Sequence, residues 1–297
     1  MPADLPDDRS YEPAKTRDGI GVDVMASVGC RKDAVVAAQS GADGIGLFRM
    51  EEFFVARDAP PSAEELEGHL RTTVAPFEGL PVTVRLLDAR SDMGLRYLDS
   101  AEEHDPALGV RGARLLATQP DLVKTQLYAL LCLSREHDVR VLVPFVTLPE
   151  EVEWTRELLD ECGQERGVRE LPPVGAMVET PAAALNAGGV ARWADFLSIE
   201  TSQLAQFTMA ASRDDPSVRD YFIDDDPTVL RLIRSVVAEG QRHAVPVVVC
   251  GALAEREDTL AKLLALGVRR FSVTPPRTAS VKEAVRRLPT SAKGSQG

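Results

Sequence analysis

Several features are scarce in this chain of 297 residues, and each scarcity closes off a class of function. No stretch approaches the roughly 20 consecutive apolar residues that cross a bilayer, and the charged, Pro-containing start from Met1 to Asp18 is unlike a secretory leader. A cytoplasmic protein with no membrane partner is therefore expected. Cationic charge is in deficit, with 34 Lys and Arg against 46 Asp and Glu and a net charge of -12. Since sequence-independent nucleic-acid affinity rests on clustered Lys and Arg neutralising phosphates, nucleic acid is not an expected partner. The cysteines, Cys30, Cys132, Cys162 and Cys250, form no CxxC pair. That pattern fits neither a disulfide framework nor a structural zinc site and suits a reducing compartment.

What the chain does have is a hydrophobic content of 44%, enough for one large core, so a single barrel-sized domain is the simplest organisation. Residues 1–18 lack apolar periodicity and read as an N-terminal peripheral segment; residues 289–297 are small and polar and read as a flexible tail. The folded unit is expected over residues 19–288. Within it, short β-rich apolar runs alternate with longer amphipathic stretches: Val22–Ala26, Gly44–Phe48, Val82–Leu87, Val139–Phe145, Val174–Val178, Phe196–Ile199, Val245–Val249 and Phe271–Val273. Near-continuous apolar strands separated by helices indicate a parallel sheet covered on both faces. Eight such units predict an α/β fold, a (β/α)8 TIM barrel; a doubly wound sheet is the alternative. Helix starts agree, with Leu148-Pro149-Glu150 and Asp226-Pro227-Thr228 placing Pro where no backbone N–H is needed. Two connections, 88–138 and 200–244, are long enough to carry extra helix. The closely spaced glycines of Gly41-Ala42-Asp43-Gly44-Ile45-Gly46 precede a strand instead of joining strand to helix, so they read as a tight turn and not as a dinucleotide loop.

In a barrel the C-terminal ends of the strands form the active face. Those positions are occupied by Arg49, Arg85 with Asp88, Pro144, Glu179, Glu200, Cys250 and Thr274. An arginine near a core needs a carboxylate neighbour or an anionic ligand. For any one of them an internal ion pair suffices, but Arg49, Arg85, Arg111 and Arg213 recur on one predicted face and jointly favour a phosphate or carboxylate substrate. Glu179, at the end of a buried strand, could be a hard-metal ligand, a general base or an ion-pair partner. Cys250, after a run of valines and before Gly251, could be inert core or a mouth-facing acid or nucleophile.

These strings resemble the phosphoenolpyruvate-binding barrel shared by Enzyme I of the bacterial sugar phosphotransferase system and pyruvate phosphate dikinase. The resemblance is carried by Gly41 to Glu51, by Val84-Arg85-Leu86-Leu87-Asp88 and by Pro106-Ala107-Leu108-Gly109-Val110-Arg111-Gly112. It continues through Met177-Val178-Glu179-Thr180-Pro181-Ala182-Ala183-Ala184 and Cys250-Gly251 with Leu253-Ala254, in order from about Val22 to Arg287. It implies that Arg49, Arg85, Arg111 and Arg213 hold the phosphate and carboxylate of phosphoenolpyruvate, that Glu179 ligates Mg²⁺, that Cys250 protonates the pyruvate enolate, and that the barrel is a homodimer.

The departures bear on activity. The family's Gly-Thr-Asn-Asp after the sixth strand is Glu200-Thr201-Ser202-Gln203 here, so the second metal carboxylate becomes the amide of Gln203. A Mg²⁺ site with one protein carboxylate leans on substrate oxygens and water. Gly-Gly-Asp-Lys after the third strand becomes Arg90-Ser91-Asp92-Met93, and Ala252 replaces a glutamate beside the cysteine. Phosphoryl transfer is mostly positioning and charge stabilisation, so ordinary phosphotransfer is expected to be crippled. None of His69, His104, His137 and His243 lies in a string like the family's phosphorylated loop, so a phosphoryl acceptor is expected to be a separate protein or a small molecule. Glu200 could be a relocated metal ligand or base, or it could pair with Arg213 and close the site. Three readings follow: an enzyme acting at the enolate of a small 2-oxo or enolpyruvyl acid, a non-catalytic regulatory barrel, and a carbon–carbon lyase.

Overall fold

The computed structural model describes residues 8–55, 57–95, 97, 98 and 103–290. Eight parallel strands follow one another around a closed barrel: β1 (Gly21–Val28), β2 (Ile45–Arg49), β3 (Val82–Arg85), β4 (Val139–Val146), β5 (Val174–Val178), β6 (Phe196–Glu200), β7 (Val247–Cys250) and β8 (Arg270–Val273). The last strand pairs back onto the first, with Val24 opposite Phe271 and Ala26 opposite Val273, so no sheet edge is left open. The doubly wound alternative is thereby excluded. Four strands run one residue past their apolar runs, so that β2 ends on Arg49, β4 on Val146, β6 on Glu200 and β7 on Cys250. Strand β3 stops early, at Arg85.

The near-continuous apolar strands are required because both of their faces are covered. Outward side chains such as Val24, Phe48, Val84, Val141, Ile199 and Phe271 pack with the surrounding helices in the main core. Leu47, Leu142, Met177, Phe196 and Cys250 form a second buried cluster in which β2, β4, β5, β6 and β7 each place one side chain. The space is tight enough that a Cβ on Gly175 would collide with the Phe196 ring. Both long connections carry helix: Ala113–Thr118 and Pro120–Leu133 in the first, Thr201–Met209 and Pro227–Arg242 in the second. Asp226 caps the last of these by accepting from the backbone N–H of Thr228 at 2.7 Å. Among the described residues no helix is long and apolar enough to cross a membrane.

The stretch before Gly19, peripheral by its lack of periodicity, is packed in its described part. Ala14–Lys15 runs antiparallel to the start of β1, and Ser10, Ala14 and Thr16 are buried. The anchor is Lys282, itself fully buried on the final helix, whose Nζ donates to the Ser10 carbonyl at 3.0 Å and to Asp43 Oδ1 at 2.6 Å. These partners come from opposite ends of the chain, which no local pattern reveals. Residues 1–7 and 291–297, the outer parts of the two expected terminal segments, lie outside the described residues.

Candidate functional site

The strand ends converge on two adjoining cavities at the C-terminal mouth of the barrel. One, of about 340 Å³, is lined by Arg49, Arg85, Arg111 and Arg213 together with Glu51, Asp88 and Gln203. The other, of about 180 Å³, shares Arg49, Arg85, Gln203 and Arg213 and adds Glu179, Glu200 and Cys250. Arg49, Arg85, Arg111, Arg213, Glu179, Glu200, Gln203 and Cys250 therefore all line one or both, whereas Pro144 lines neither.

On the β3 side the arginines are held by carboxylates. Arg111, buried, donates from Nε to Asp88 Oδ1 at 3.0 Å and from Nη2 to Asp88 Oδ2 at 2.6 Å, a fork-to-fork pair. Arg85 donates from Nη2 to Glu51 Oε1 at 2.7 Å, lies 3.6 Å from Asp88 Oδ2 and 4.0 Å from Glu179 Oε1, and keeps a buried Nε with no partner among the described residues. Glu51 Oε1 also accepts from the backbone N–H of Asp88 at 3.1 Å. Burial disfavours the charge of Arg85, but Glu51, Asp88 and Glu179 outweigh it and hold the guanidinium above its ordinary pKa. Burial likewise opposes the Asp88 carboxylate, and Arg85 and Arg111 hold its pKa below the usual range nonetheless. Arg49 is exposed and makes no ion pair among the described residues.

Glu179 follows β5 and is wholly buried. Its Oε2 accepts from the backbone N–H of Phe145 at 2.7 Å, whereas Oε1 has no hydrogen-bond partner among the described residues. Burial, reinforced by Asp88 and Glu200 and opposed by Arg85 and Arg111, pushes its pKa up to about 7. Cys250 is also buried, with Sγ 3.4 Å from the Ile199 carbonyl and 4.0 Å from Ser198 Oγ. Burial and the nearby carboxylates of Glu200 and Glu179 raise its thiol pKa, so the group stays protonated at neutral pH. A thiol so placed keeps its proton and is a poor nucleophile.

The β6 end is arranged differently. Glu200 caps the helix Thr201–Met209, accepting from Gln203 N–H at 2.5 Å and Ser202 N–H at 3.4 Å. Its Oε2 lies 3.9 Å from Arg213 Nη1, a loose contact whose arginine side chain is 36% exposed. Both carboxylate oxygens are thus used locally by a negative charge at a helix N-terminus. Met93 lines the larger cavity, and the neighbouring Arg90 is taken up by Asp92 at 3.0 Å.

These donors bear on a divalent cation as follows. The fully buried Oε1 of Glu179, with no hydrogen-bond donor to satisfy it, is a hard oxygen suited to Mg²⁺. Gln203 lines both cavities, and among the described residues no group of three or more His, Cys, Asp or Glu side chains could surround a metal. The residues fit a cation held by one carboxylate oxygen and completed by an amide, substrate and water. Two contributors escaped sequence reasoning. Glu51 lies inside the quoted Gly41–Glu51 string, but nothing local marks it as the counter-ion of Arg85. Phe145 carries no turn residue's signature for the conformation it adopts.

Residues 5–290 match the family described as PEP-utilising enzyme, PEP-binding domain. A multiphosphoryl transfer protein of Rhodobacter capsulatus is 36% identical over 276 residues, which is 93% of this chain and 33% of that protein. A phosphoenolpyruvate-protein phosphotransferase of Cupriavidus necator is 38% identical over 283 residues, 93% of this chain and 48% of that one. The chain thus spans between a third and about half the length of these relatives. Among solved structures, a citrate lyase from Burkholderia xenovorans superposes with a TM-score of 0.55 at 16% identity, covering 96% of this chain and 80% of the other. An HpcH/Hpal aldolase/citrate lyase family protein from Burkholderia cenocepacia gives 0.52 at 16%, covering 93% and 94%. At such identity the likeness is one of fold.

Proposed function

This chain belongs to the PEP-utilising enzymes as a PEP-binding domain, and from that premise we propose that its mouth binds phosphoenolpyruvate, pyruvate or a similar small 2-oxo or enolpyruvyl acid and moves a proton at the enolate carbon. One observation carries the reading: four arginines and the protonated thiol of Cys250 line two adjoining cavities that share Arg49, Arg85, Gln203 and Arg213. Arg85 and Arg111, held by Glu51 and Asp88, form a fixed electropositive wall. Arg49, with no ion pair among the described residues, and Arg213, held only loosely at 3.9 Å by Glu200 and by Asp214, are the cations able to close on a carboxylate or phosphate. Once an enolate is present, its C=C electron pair takes the Cys250 proton, forming the C–H bond as the S–H bond breaks; the enolate oxygen becomes the ketone, and water reprotonates the thiolate. A Mg²⁺ ion held through Glu179 Oε1, with Gln203 beside it, supplies charge stabilisation at the enolate oxygen when bound.

Ordinary transfer of a phosphoryl group to a protein is impaired on this reading, because Gln203 and Met93 occupy positions where the family resemblance puts a carboxylate and a lysine. Any phosphoryl acceptor is a separate protein or a small molecule, and the barrel works as a homodimer. A binding-only regulatory role is the second reading, favoured by the approach of Glu200 to Arg213, which places a protein carboxylate beside one of those two cations. Calorimetric titration with phosphoenolpyruvate, pyruvate and oxalate, each with and without Mg²⁺, tests the proposal. Saturable binding of at least one, strengthened by Mg²⁺, is expected; silence from all three under both conditions removes it.

A further inference from the structure

Phe145 lies near the end of β4 with φ at +51°, a left-handed conformation that bulky side chains rarely adopt. The β4–β5 ladder breaks register around it, between Val143 and Val146. The conformation is accommodated by Gly112, where a Cβ would collide with that of Phe145. Two consequences follow from the turned backbone. The Phe145 N–H points at Glu179 Oε2, 2.7 Å away, which leaves Oε1 free. The buried ring, meanwhile, lies under two guanidinium groups, Arg111 at 4.2 Å and Arg114 at 5.4 Å from its centroid. Its edge meets Phe207 at 5.4 Å, on the helix that begins beside Glu200 and carries Gln203. A single residue thus reaches Arg111 and the altered helix through its ring and Glu179 through its backbone N–H.

We propose that Phe145 is a positioning residue that sets Arg111 and Glu179 relative to each other and ties both to the Thr201–Met209 helix. The proposal rests on the reading of Arg111 and Glu179 as ligand-binding groups, but its geometry can be tested apart from that reading. A cation over an aromatic face is attracted by the ring quadrupole, and the attraction grows when the pair is desolvated, as Arg111 is. Phe145→Leu removes the face while keeping an apolar side chain, and Phe145→Tyr keeps the face. Site-specific pentafluorophenylalanine at position 145 keeps the ring's shape and removes its negative face, so it separates electrostatic positioning from simple packing and guards against a variant that fails to fold.

The first readout is the solvent exchange of the Arg111 Nε–H, followed on its own resonance, since this group donates to Asp88 at 3.0 Å. It should quicken in Phe145→Leu and in the fluorinated protein and stay at the native rate in Phe145→Tyr. The second is oxalate affinity in the presence of Mg²⁺. It should fall by about 5- to 30-fold in Phe145→Leu and in the fluorinated protein, and remain within about twofold of native in Phe145→Tyr, with unfolding temperatures compared alongside. Native Arg111 Nε–H exchange in Phe145→Leu overturns the proposal, as does native oxalate affinity in the folded fluorinated protein. If the native protein binds no oxalate at all, the proposed function fails, and the Arg111 exchange still decides the positioning role.

Discussion

The two halves of the mouth solve the same electrostatic problem in opposite ways. On the β3 side, Arg111, Asp88, Arg85 and Glu51 form a buried chain in which hydrogen bonds of 2.6 to 3.0 Å join Arg111 to Asp88 and Arg85 to Glu51, and Arg85 lies 3.6 Å from Asp88. On the β6 side, Glu200 and Arg213 approach only to 3.9 Å, and the arginine is partly in water. Buried charges must be paired with good geometry because an uncompensated one costs several kcal/mol, whereas a half-exposed pair contributes little. The β3 half is therefore fixed before any ligand arrives, and the β6 half is free to rearrange. The contrast follows the sequence only in part: the β3 side keeps Arg85, Asp88 and Arg111 but also carries the altered Arg90 to Met93, and the β6 side carries the altered Glu200 to Gln203.

The largest effect that would break this contrast is expected from Asp88→Ala. It leaves Arg85 and Arg111 short of their shared carboxylate, and denaturant unfolding should show a loss of about 3–5 kcal/mol; a loss under about 1 kcal/mol would mean the chain of pairs is not what holds this wall. Next comes Gly112→Ala, which adds a Cβ against Phe145 at a glycine with φ of +51°. It should cost about 2 kcal/mol or more by the same measurement, with native stability indicating that the β4 end gives way freely. Glu179→Gln sharpens the comparison through pH. The Glu179 pKa is raised in the fold to about 7, so its protonation favours the native state fully below the ordinary value near 4.5 and this contribution is lost as pH rises through 7. The variant should therefore gain on the native protein between pH 4.5 and 7, ending on the order of 2 kcal/mol more stable at pH 8; a constant difference across that range would refute the assignment. The smallest effect belongs to Glu200→Gln, which weakens one helix cap and one loose ion pair and should cost about 1 kcal/mol or less. Mg²⁺ affinity should be unchanged in that variant, since both oxygens of Glu200 serve the cap; a weakened affinity would show that the carboxylate has taken over metal binding.

Much of this was legible in the sequence, for definable reasons. Strands buried on both faces leave continuous apolar runs, and the residue ending each run marks the mouth, so Arg49, Glu179, Glu200 and Cys250 could be placed before the structure was known. What stayed hidden depends on distance or on backbone conformation. Glu51 pairs with Arg85, 34 positions away, and Lys282 buries itself against Ser10, 272 positions away. Phe145 adopts a left-handed backbone without Gly, Asn or Asp to announce it; the signal lay instead in Gly112, whose missing Cβ makes the space. Glu200 was readable as an altered residue, but its use as a cap was not, because glutamate is not among the residues favoured at that position.

The proposed function rests on the arginines of the mouth lying beside the buried thiol of Cys250, whatever has become of phosphoryl transfer. Exchange of the methyl protons of pyruvate into deuterated water, followed by proton NMR with Mg²⁺ present, tests it most directly. The native protein should catalyse exchange, faster as pH rises because the thiolate form of Cys250 removes the proton, and Cys250→Ala should abolish it. Exchange that is absent in the native protein, or equally fast in Cys250→Ala, would contradict the account.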